Sequence, residues 1–541
     1  MGVVGGFDEL ASPELRLGRR VANFSLVAAL LKYSSVEELH FFLPFFNALR
    51  PFERAYGGLL NRPGQENRVK LLPAAGLPAA IERNTYLALH ATEHHRFFPE
   101  LCHLRNQWPK KPFPVTCTPH SLNPWEGHLR NIYKVLPGPQ PFDAIFCTSA
   151  AAKEHFARGL GALAAGLKEM GLSQAGYAGR LEVVPLGVEA EGFGKIPREK
   201  AQARLGLSPG PLTLLCLGRL TPTDKFDLVP LLGVLKLLLE ECDVRLILAG
   251  AAQEGYVKEL KRAATSLGLS QAVHVFPDFA GEMKPALYAA ADVFVSPADN
   301  LQETFGLSIL EAMAAGLPVV ASDFSGYRDL VREGETGFLI PTLGPAEFRP
   351  LDAVWPLLPS PIAALQIAQR TAIDLGVMLA RLKALAENAN LRMEMGRAGR
   401  QRALAVFDWP MVIRRMEERW AELNQMAQAK AVAAPAPDSM AVSQGELFGH
   451  FFSGKISLKT RLKPGPLALA FGQDGWAKSP HPDLAQALPP AQLARLLGFL
   501  QAEAGASLEE LSQKMAGELP AHLVEHLALY GLKYGVLALA E

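Results

Sequence analysis

The chain has 541 residues, with Lys plus Arg and Asp plus Glu at 54 each, for a formal net charge of zero. That length exceeds what one hydrophobic core sustains, so two large domains with additions are expected. Hydrophobic residues at 49% and charged residues at 20% fit a soluble globular protein, and the charge balance gives no support for nucleic acid as a partner. The five cysteines (Cys102, Cys117, Cys147, Cys216, Cys242) contain no Cys-x-x-Cys pair, and most are expected as buried reduced thiols. No basic stretch followed by an apolar core opens the chain, so no signal peptide is expected. Lys236 and Glu240 break the longest apolar stretches, and none is long enough to span a bilayer. The expectation is a cytoplasmic protein, with peripheral membrane contact left open.

In chain order, residues 21–31 have a helical period, and 40–43 and 114–118 read as strands. Residues 144–148 form a further strand, with Ser149 as the N-cap of the helix that follows. Val183 and Val184 close this half. The second half repeats the alternation with apolar runs at 212–217, 245–248, 273–276, 293–296 and 318–321, separated by helical segments. Such alternation predicts parallel sheets covered on both faces. The predicted fold is therefore α/β, with two doubly wound Rossmann-like domains facing a cleft where ligands bind at the carboxyl ends of strands. Residues 342–362, rich in Pro and Leu, read as an insertion or long loop. Residues 371–425 read as helical, and Arg397, Arg400, Arg402, Arg414, Arg415 and Arg419 along them as a solvated or salt-bridged face. Residues 427–438 read as a flexible linker. Beyond it, 493–500, 507–515 and 523–532 have helical spacing and end in a strand-like 534–539, predicting a small, mainly helical, winged-helix-like module. The expected domains are 1–195, 196–405, a returning helix at 406–426, a linker at 427–445 and the module at 446–541.

One stretch carries more chemistry than the rest. Glu303 to Glu311 reads Glu-Thr-Phe-Gly-Leu-Ser-Ile-Leu-Glu, and a Pro-Val-Val-Ala strand follows after Gly316. Leu307, Leu310, Met313 and Ala314 recur at helical spacing, and Glu311 interrupts that apolar face with a charge that needs a partner or a ligand hydroxyl. Free backbone N–H groups near Thr304, Phe305 and Gly306 suit a phosphate at the helix start. A sugar nucleotide lying across this helix N-terminus is the expectation.

The run from Asp299 to Asp323 resembles the signature of family-4 retaining glycosyltransferases of the GT-B fold: a Glu, seven residues, a Glu, then a glycine and a Pro-Val-Val strand. The resemblance extends through Ser325-Gly326 and Gly334 to Pro341. It reaches back to Leu217-Gly-Arg-Leu220, Lys225, Leu246-Ile-Leu-Ala-Gly250 and Glu182-Val-Val-Pro-Leu-Gly-Val-Glu189. It implies a metal-independent transfer of a sugar from a nucleotide-sugar donor to a glycan, lipid or small-molecule acceptor. Arg219 and Lys225 would hold the diphosphate and stabilise it as it leaves. Glu311 would accept from the ribose, Glu303 from hydroxyls of the transferred sugar, and His120 would point at that sugar. Gly218, Asp299, Thr304, Phe305, Gly306 and Leu307 would complete the donor site.

No Asp-x-Asp triplet occurs, so neither a metal nor any other cofactor is expected. His94-His95 lacks the further ligands of a metal site. The sequence departs from the family at Phe226, where Gly is common, and Gly5-Gly6 and Gly18 compete for the first-domain glycine loop. Two rival readings are a glycoside hydrolase using Glu303 and Glu311 and a non-catalytic nucleotide-sugar-binding or scaffold protein of the same fold.

Overall fold

The computed structural model of the chain describes residues 1–5, 7, 18–44, 48–94, 97–108, 112–120, 122, 138–171, 176–279, 281–301, 303–348, 351–354, 357–429, 455–469, 471, 490–503 and 505–540. The chain divides into two compact units, one of Met1–Phe41, Tyr56–Lys70 and Asn84–Pro435, the other of Phe42–Ala55, Leu71–Arg83 and Ala436–Glu541.

Two sheets follow one another along the chain. The first contains β1 (Gly2–Val4), β2 (Leu39–Leu43), β3 (Val69–Pro73), β4 (Leu89–Ala91), β5 (Val115–Cys117), β6 (Ala144–Cys147) and β7 (Arg180–Val183), in the order 3-2-1-4-5-6-7. The second contains β8 (Leu212–Leu217), β9 (Val244–Gly250), β10 (Val273–Pro277), β11 (Val293–Ser296), β12 (Val319–Ser322) and β13 (Gly337–Ile340), in the order 10-9-8-11-12-13. All registered pairs within them are parallel. The expected pair of doubly wound sheets is therefore present. Strand order reverses beside β1 in the first sheet and beside β8 in the second, and such switch points are where open α/β sheets bind ligands.

Strands β8, β9, β11 and β12 are almost wholly buried because both faces of the sheet are covered there. Leu215 and Leu217 of β8 join one buried cluster, with Ile309, Leu310 and Met313, while Leu214 and Cys216 join the other, with Leu231, Leu235 and Met378. With both faces buried, the strand reads as a short continuous apolar run, which is what made it legible. The helix Leu307–Ala315 fills the first cluster through Ile309, Leu310, Ala312, Met313 and Ala314. It ends at Gly316, whose φ of 83° lets its N–H reach Met313 O at 2.9 Å while Leu317 N–H reaches Ala312 O at 3.0 Å. That pair of bonds is the Schellman stop.

The chain crosses between the sheets twice, and the crossings are laced together. Val188 N–H donates to Phe407 O at 2.9 Å and Trp409 N–H to Val188 O at 3.1 Å. Gly187 makes this possible, because a Cβ there would lie 2.4 Å from the Trp409 ring. The helix Trp409–Ala429 then lies against the first sheet: Trp420 Nε1 donates to Thr116 Oγ1 at 2.9 Å and Asn424 Nδ2 to Leu87 O at 2.8 Å. Its Glu417 accepts from Ser34 Oγ and Ser35 Oγ, each at 2.7 Å.

The expected arginine face proves partly structural. Arg402 Nε donates to Leu330 O at 3.0 Å and Arg400 Nη1 to Ala314 O, each placing a cation at a helix C-terminus. The insertion after β13 is not a plain loop. Two short paired strands, β14 (Thr342–Leu343) and β15 (Ala372–Ile373), bracket the helices Leu351–Val354 and Ser360–Ala368. Beside these helices lies an open pocket of about 320 Å³ lined in part by Phe348, Leu351 and Arg370.

In the second unit the helices Pro490–Glu503, Leu508–Lys514 and Ala521–Lys533 share a core with Leu462, Val536 and Leu537. The expectation of one strand is corrected to three. Antiparallel β16 (Arg461–Pro464) lies between β17 (Ala506–Ser507) and β18 (Leu537–Leu539). Only Leu462 is buried in β16, so no apolar run announced it. Most of the expected linker lies outside the described residues, and the helix before it runs on to Ala429. All five cysteines are free thiols, four of them buried. No described helix is long and apolar enough to cross a membrane.

Candidate functional site

Lys225, Asp299 and Glu303 meet on the segments that follow β8 and β11, which lie side by side at the switch point. Arg219 leaves the end of β8 and Lys225 lies in the loop beyond it. Arg219 folds back onto that loop, pairing Nη1 with the Asp224 carboxylate and donating Nη2 to Asp224 O at 3.1 Å. The segment after β11 ties the loop down at three points. Asn300 Nδ2 donates to Thr223 O at 2.9 Å, Asp227 N–H donates to Asp299 Oδ2 at 3.3 Å, and Lys225 forms an ion pair with Glu303.

Two glycines set how closely these strand ends approach. A Cβ on Gly250, at φ 150°, would overlap Gly218 O at 1.7 Å. A Cβ on Gly218 would lie 2.8 Å from Phe226 Cζ and 3.0 Å from Lys225 Cε. The departure at Phe226 is thus accommodated: its ring is wholly buried with Cys216 and Leu228, and the Lys225 ammonium lies 5.5 Å from its centroid.

Glu303, only 9% exposed, takes bonds from several sides. Oε2 accepts from Lys225 and, at 3.1 Å, from Tyr327 OH; Oε1 accepts from Phe305 N–H at 3.3 Å. Burial alone would raise this carboxyl, but the Lys225 charge and these donors together hold it below its ordinary value. The expectation of a free N–H at Phe305 is corrected, since that donor is spent on Glu303. The Phe305 side chain packs edge-on to Phe407 in the core, at 6.2 Å between centroids. Thr304 is buried, and its neighbour Gly306, at φ 108°, caps the helix Leu307–Ala315 without any side-chain hydrogen bond. Leu307 is half-buried at the first helical position.

Glu311 lies about one turn along that helix. Lys284 pairs with Oε1 and Tyr288 OH donates to Oε2 at 2.7 Å, both from the helix Lys284–Ala290. Asp299 is nearly buried, and burial foremost, with the Asp227 carboxylate beside it, pushes its carboxyl up to about 7 against the opposing Asp227 N–H.

The first sheet meets this site through Thr304. Thr304 Oγ1 donates to His120 O at 3.4 Å, and Ser149 Oγ donates to Thr304 O at 2.8 Å while accepting from Ala152 N–H as the expected N-cap. Ala150 N–H donates to Asp329 Oδ2 at 2.5 Å. His120 is half-buried at the end of β5. His90, beside it, is wholly buried between Thr116 and Thr118; burial, with His120 nearby, pushes it down to about 3, so it stays neutral. Gly5 ends β1 so close to Thr92 that a Cβ would lie 2.4 Å from Oγ1, and Gly18 begins the helix Gly18–Tyr33. Gly6 and His95 lie outside the described residues.

The sequence reading missed Asp224, Lys284, Tyr288 and Tyr327, each in contact with an expected site residue. Asp224 was discoverable as the neighbour of Lys225. Lys284 and Tyr288 were discoverable only as an i, i+4 pair with a polar face, and Tyr327 had no signal beyond following Ser325-Gly326.

Residues 197–348 match the family Glycosyl transferases group 1. The chain is 34% identical over 177 residues to the D-inositol 3-phosphate glycosyltransferase of Geodermatophilus obscurus, covering 31% of this chain and 38% of that protein. Against the enzyme of the same name from Actinosynnema mirum it is 37% identical over 166 residues, covering 29% and 39%. The chain thus matches less than two fifths of the length of these curated relatives.

Among solved structures, sucrose-phosphate synthase from Thermosynechococcus elongatus superposes with a TM-score of 0.53 at 18% identity, covering 79% of this chain and 99% of that one. Anabaena HepE in complex with UDP gives 0.53 at 19%, covering 78% and 99%. At such identities the likeness is one of fold. With two parallel sheets joined by laced crossings, the chain has the GT-B fold, and its residues 197–348 match the glycosyl transferases group 1 model.

Proposed function

We propose that the protein is a metal-independent, family-4 retaining glycosyltransferase that moves a sugar from a nucleotide-sugar donor to a glycan, lipid or small-molecule acceptor. The observation that carries this reading is the Lys225–Glu303 pair at the β8/β11 switch point, flanked by Arg219 and by a helix start with no side-chain cap. Cations beside a helix start suit a diphosphate. A carboxylate beside them suits hydroxyls of the sugar it carries.

In this mechanism the diphosphate lies against Arg219, Lys225 and the N-terminus of Leu307–Ala315. The acceptor attacks the face from which the diphosphate departs, and charge developing on the leaving group meets groups already in place. Glu303 accepts from the transferred sugar and Glu311 from the ribose. His120 approaches the sugar from the first sheet, and Gly218 and Asp299 shape the loop that carries Lys225. HepE binds UDP and UDP-glucose, so uridine donors come first in a screen.

The test is thermal unfolding of the wild type and Glu311→Ala with UDP-, GDP- and ADP-sugars. A donor at about 100 times its Kd adds about 2.7 kcal/mol. A rise with one nucleotide series that disappears in the variant supports the reading. No rise with any nucleotide favours a non-catalytic scaffold.

A further inference from the structure

Glu303 stands in a row of side chains that joins β11, the loop after β8 and the short helix Tyr327–Leu330. Ser296 Oγ, at the end of β11, lies 2.7 Å from Tyr327 OH; Tyr327 OH lies 3.1 Å from Glu303 Oε2; and Lys225 meets the same oxygen. A phenol has one proton and an ionised carboxylate none. The Tyr327 proton therefore points at Glu303, and the Ser296 hydroxyl donates to Tyr327. Burial foremost, then the Glu303 charge, raises the Tyr327 phenol well above its ordinary range, so it remains a neutral donor.

The ring is seated with little tolerance. A Cβ on Gly306 would lie 2.7 Å from Tyr327 Cε1, and one on Gly326 would lie 2.2 Å from Thr304 O. Two glycines thus let the Tyr327 segment close against the loop that carries Glu303. From behind, Arg402 donates to Asp329 O at 2.7 Å and to Leu330 O at 3.0 Å, fixing the end of the Tyr327 helix.

Counting acceptor sites gives this arrangement a consequence. Each carboxylate oxygen offers about two. Among the described residues, Oε2 is filled by Lys225 and Tyr327, while Oε1 takes only the Phe305 N–H. We infer that Tyr327 is a positioning residue that occupies Oε2 of Glu303, so that the carboxylate offers a single site, on Oε1, to one hydroxyl of the donor's sugar. This inference rests on the nucleotide-sugar reading above. Tyr327 does not touch the donor; it removes the alternative in which the carboxylate turns and accepts through either oxygen.

The experiment compares the Kd of the nucleotide-sugar found by the thermal screen with the Kd of its nucleoside diphosphate, by calorimetry, in the wild type, Tyr327→Phe and Ser296→Ala. In Tyr327→Phe the ratio of the two constants should shift by about tenfold against the sugar. The diphosphate alone should bind as in the wild type. The pH at which sugar-dependent affinity is lost on acidification should also rise, because one donor to the ionised carboxylate is gone. Ser296→Ala should move both readouts in the same direction by less, and it carries the test if Tyr327→Phe does not fold. An unchanged ratio and an unchanged acid limb, in variants that bind the diphosphate normally, would overturn the inference. A wild type that binds neither ligand overturns the reading beneath it instead.

Discussion

Tyr288 OH donates to Glu311 Oε2 at 2.7 Å from the same helix whose Lys284, one turn earlier, pairs with Oε1. Glu311 is thus oriented by an i, i+4 pair on a neighbouring helix, and both its oxygens are engaged before any ligand arrives. Tyr288→Phe removes one donor from a partly buried carboxylate and should cost about 1–3 kcal/mol in urea unfolding. Donor affinity should fall together with stability. If donor affinity in Tyr288→Phe matches the wild type, Glu311 needs no such orientation and its proposed contact with ribose weakens.

Gly306 and Gly316 bracket one helix, both with positive φ, yet their surroundings differ. A Cβ at Gly316 has only Gly396 O, at 4.0 Å, for a neighbour, whereas at Gly306 it strikes the Tyr327 ring. Gly316→Ala should cost about 1–2 kcal/mol, the strain of a left-handed alanine. Gly306→Ala should cost more and should also abolish the donor-dependent rise in Tm. Equal losses in the two variants would show that the Tyr327 contact relaxes freely.

Asp299 makes stability depend on pH in an unusual direction. Its carboxyl is pushed from the ordinary 3.8 up to about 7. Between these values the folded state holds a proton that the unfolded chain releases, so stability falls as pH rises through that window, and the full cost is present above about 7. Asp299→Asn keeps an acceptor for Asp227 N–H and removes the titration. The variant should therefore gain on the wild type as pH rises, by up to about 1.4 kcal/mol per pH unit within the window. Parallel pH–stability curves for the two proteins would refute this.

Trp420 anchors the last helix of the first unit. It is wholly buried, stacks on Phe146 at 6.3 Å and donates to Thr116 Oγ1. Trp420→Ala should cost about 3–5 kcal/mol in urea unfolding. Trp420→Phe, which keeps most of the volume and leaves Thr116 Oγ1 its contact with His90 Nδ1 at 2.9 Å, should cost appreciably less. A Trp420→Ala loss below about 1 kcal/mol would mean that the helix docks through its other bonds alone.

How far the sequence spoke depended on whether a feature repeats. β8, β11 and β12 were legible because apolar runs between helical segments have few other uses. β3 and β4 went unread: β3 is half-exposed, and β4 is three residues long with His90 at its centre. Glu303, Glu311, Arg219 and Lys225 were picked out by a resemblance over local spacing. Their partners were not, because Tyr327 is 24 residues from Glu303 and Tyr288 is 23 from Glu311. Only the fold brings those pairs together. The Phe305 N–H shows the opposite failure, where a local rule about helix starts was right in general but the donor had already found a carboxylate.

Val188 and Asp408 sit where the chain passes out of the first sheet and where it returns, and the two passages hydrogen-bond to each other across Gly187 and Trp409. Two strands of a tether fastened at one point form a hinge pin. On donor binding the sheets should swing about it rather than shear past each other. We expect that swing to register as a change in radius of gyration by small-angle scattering when the donor is added. The Thr304 hydrogen bonds to His120 and Ser149 would act as the latch at the open end of the same hinge.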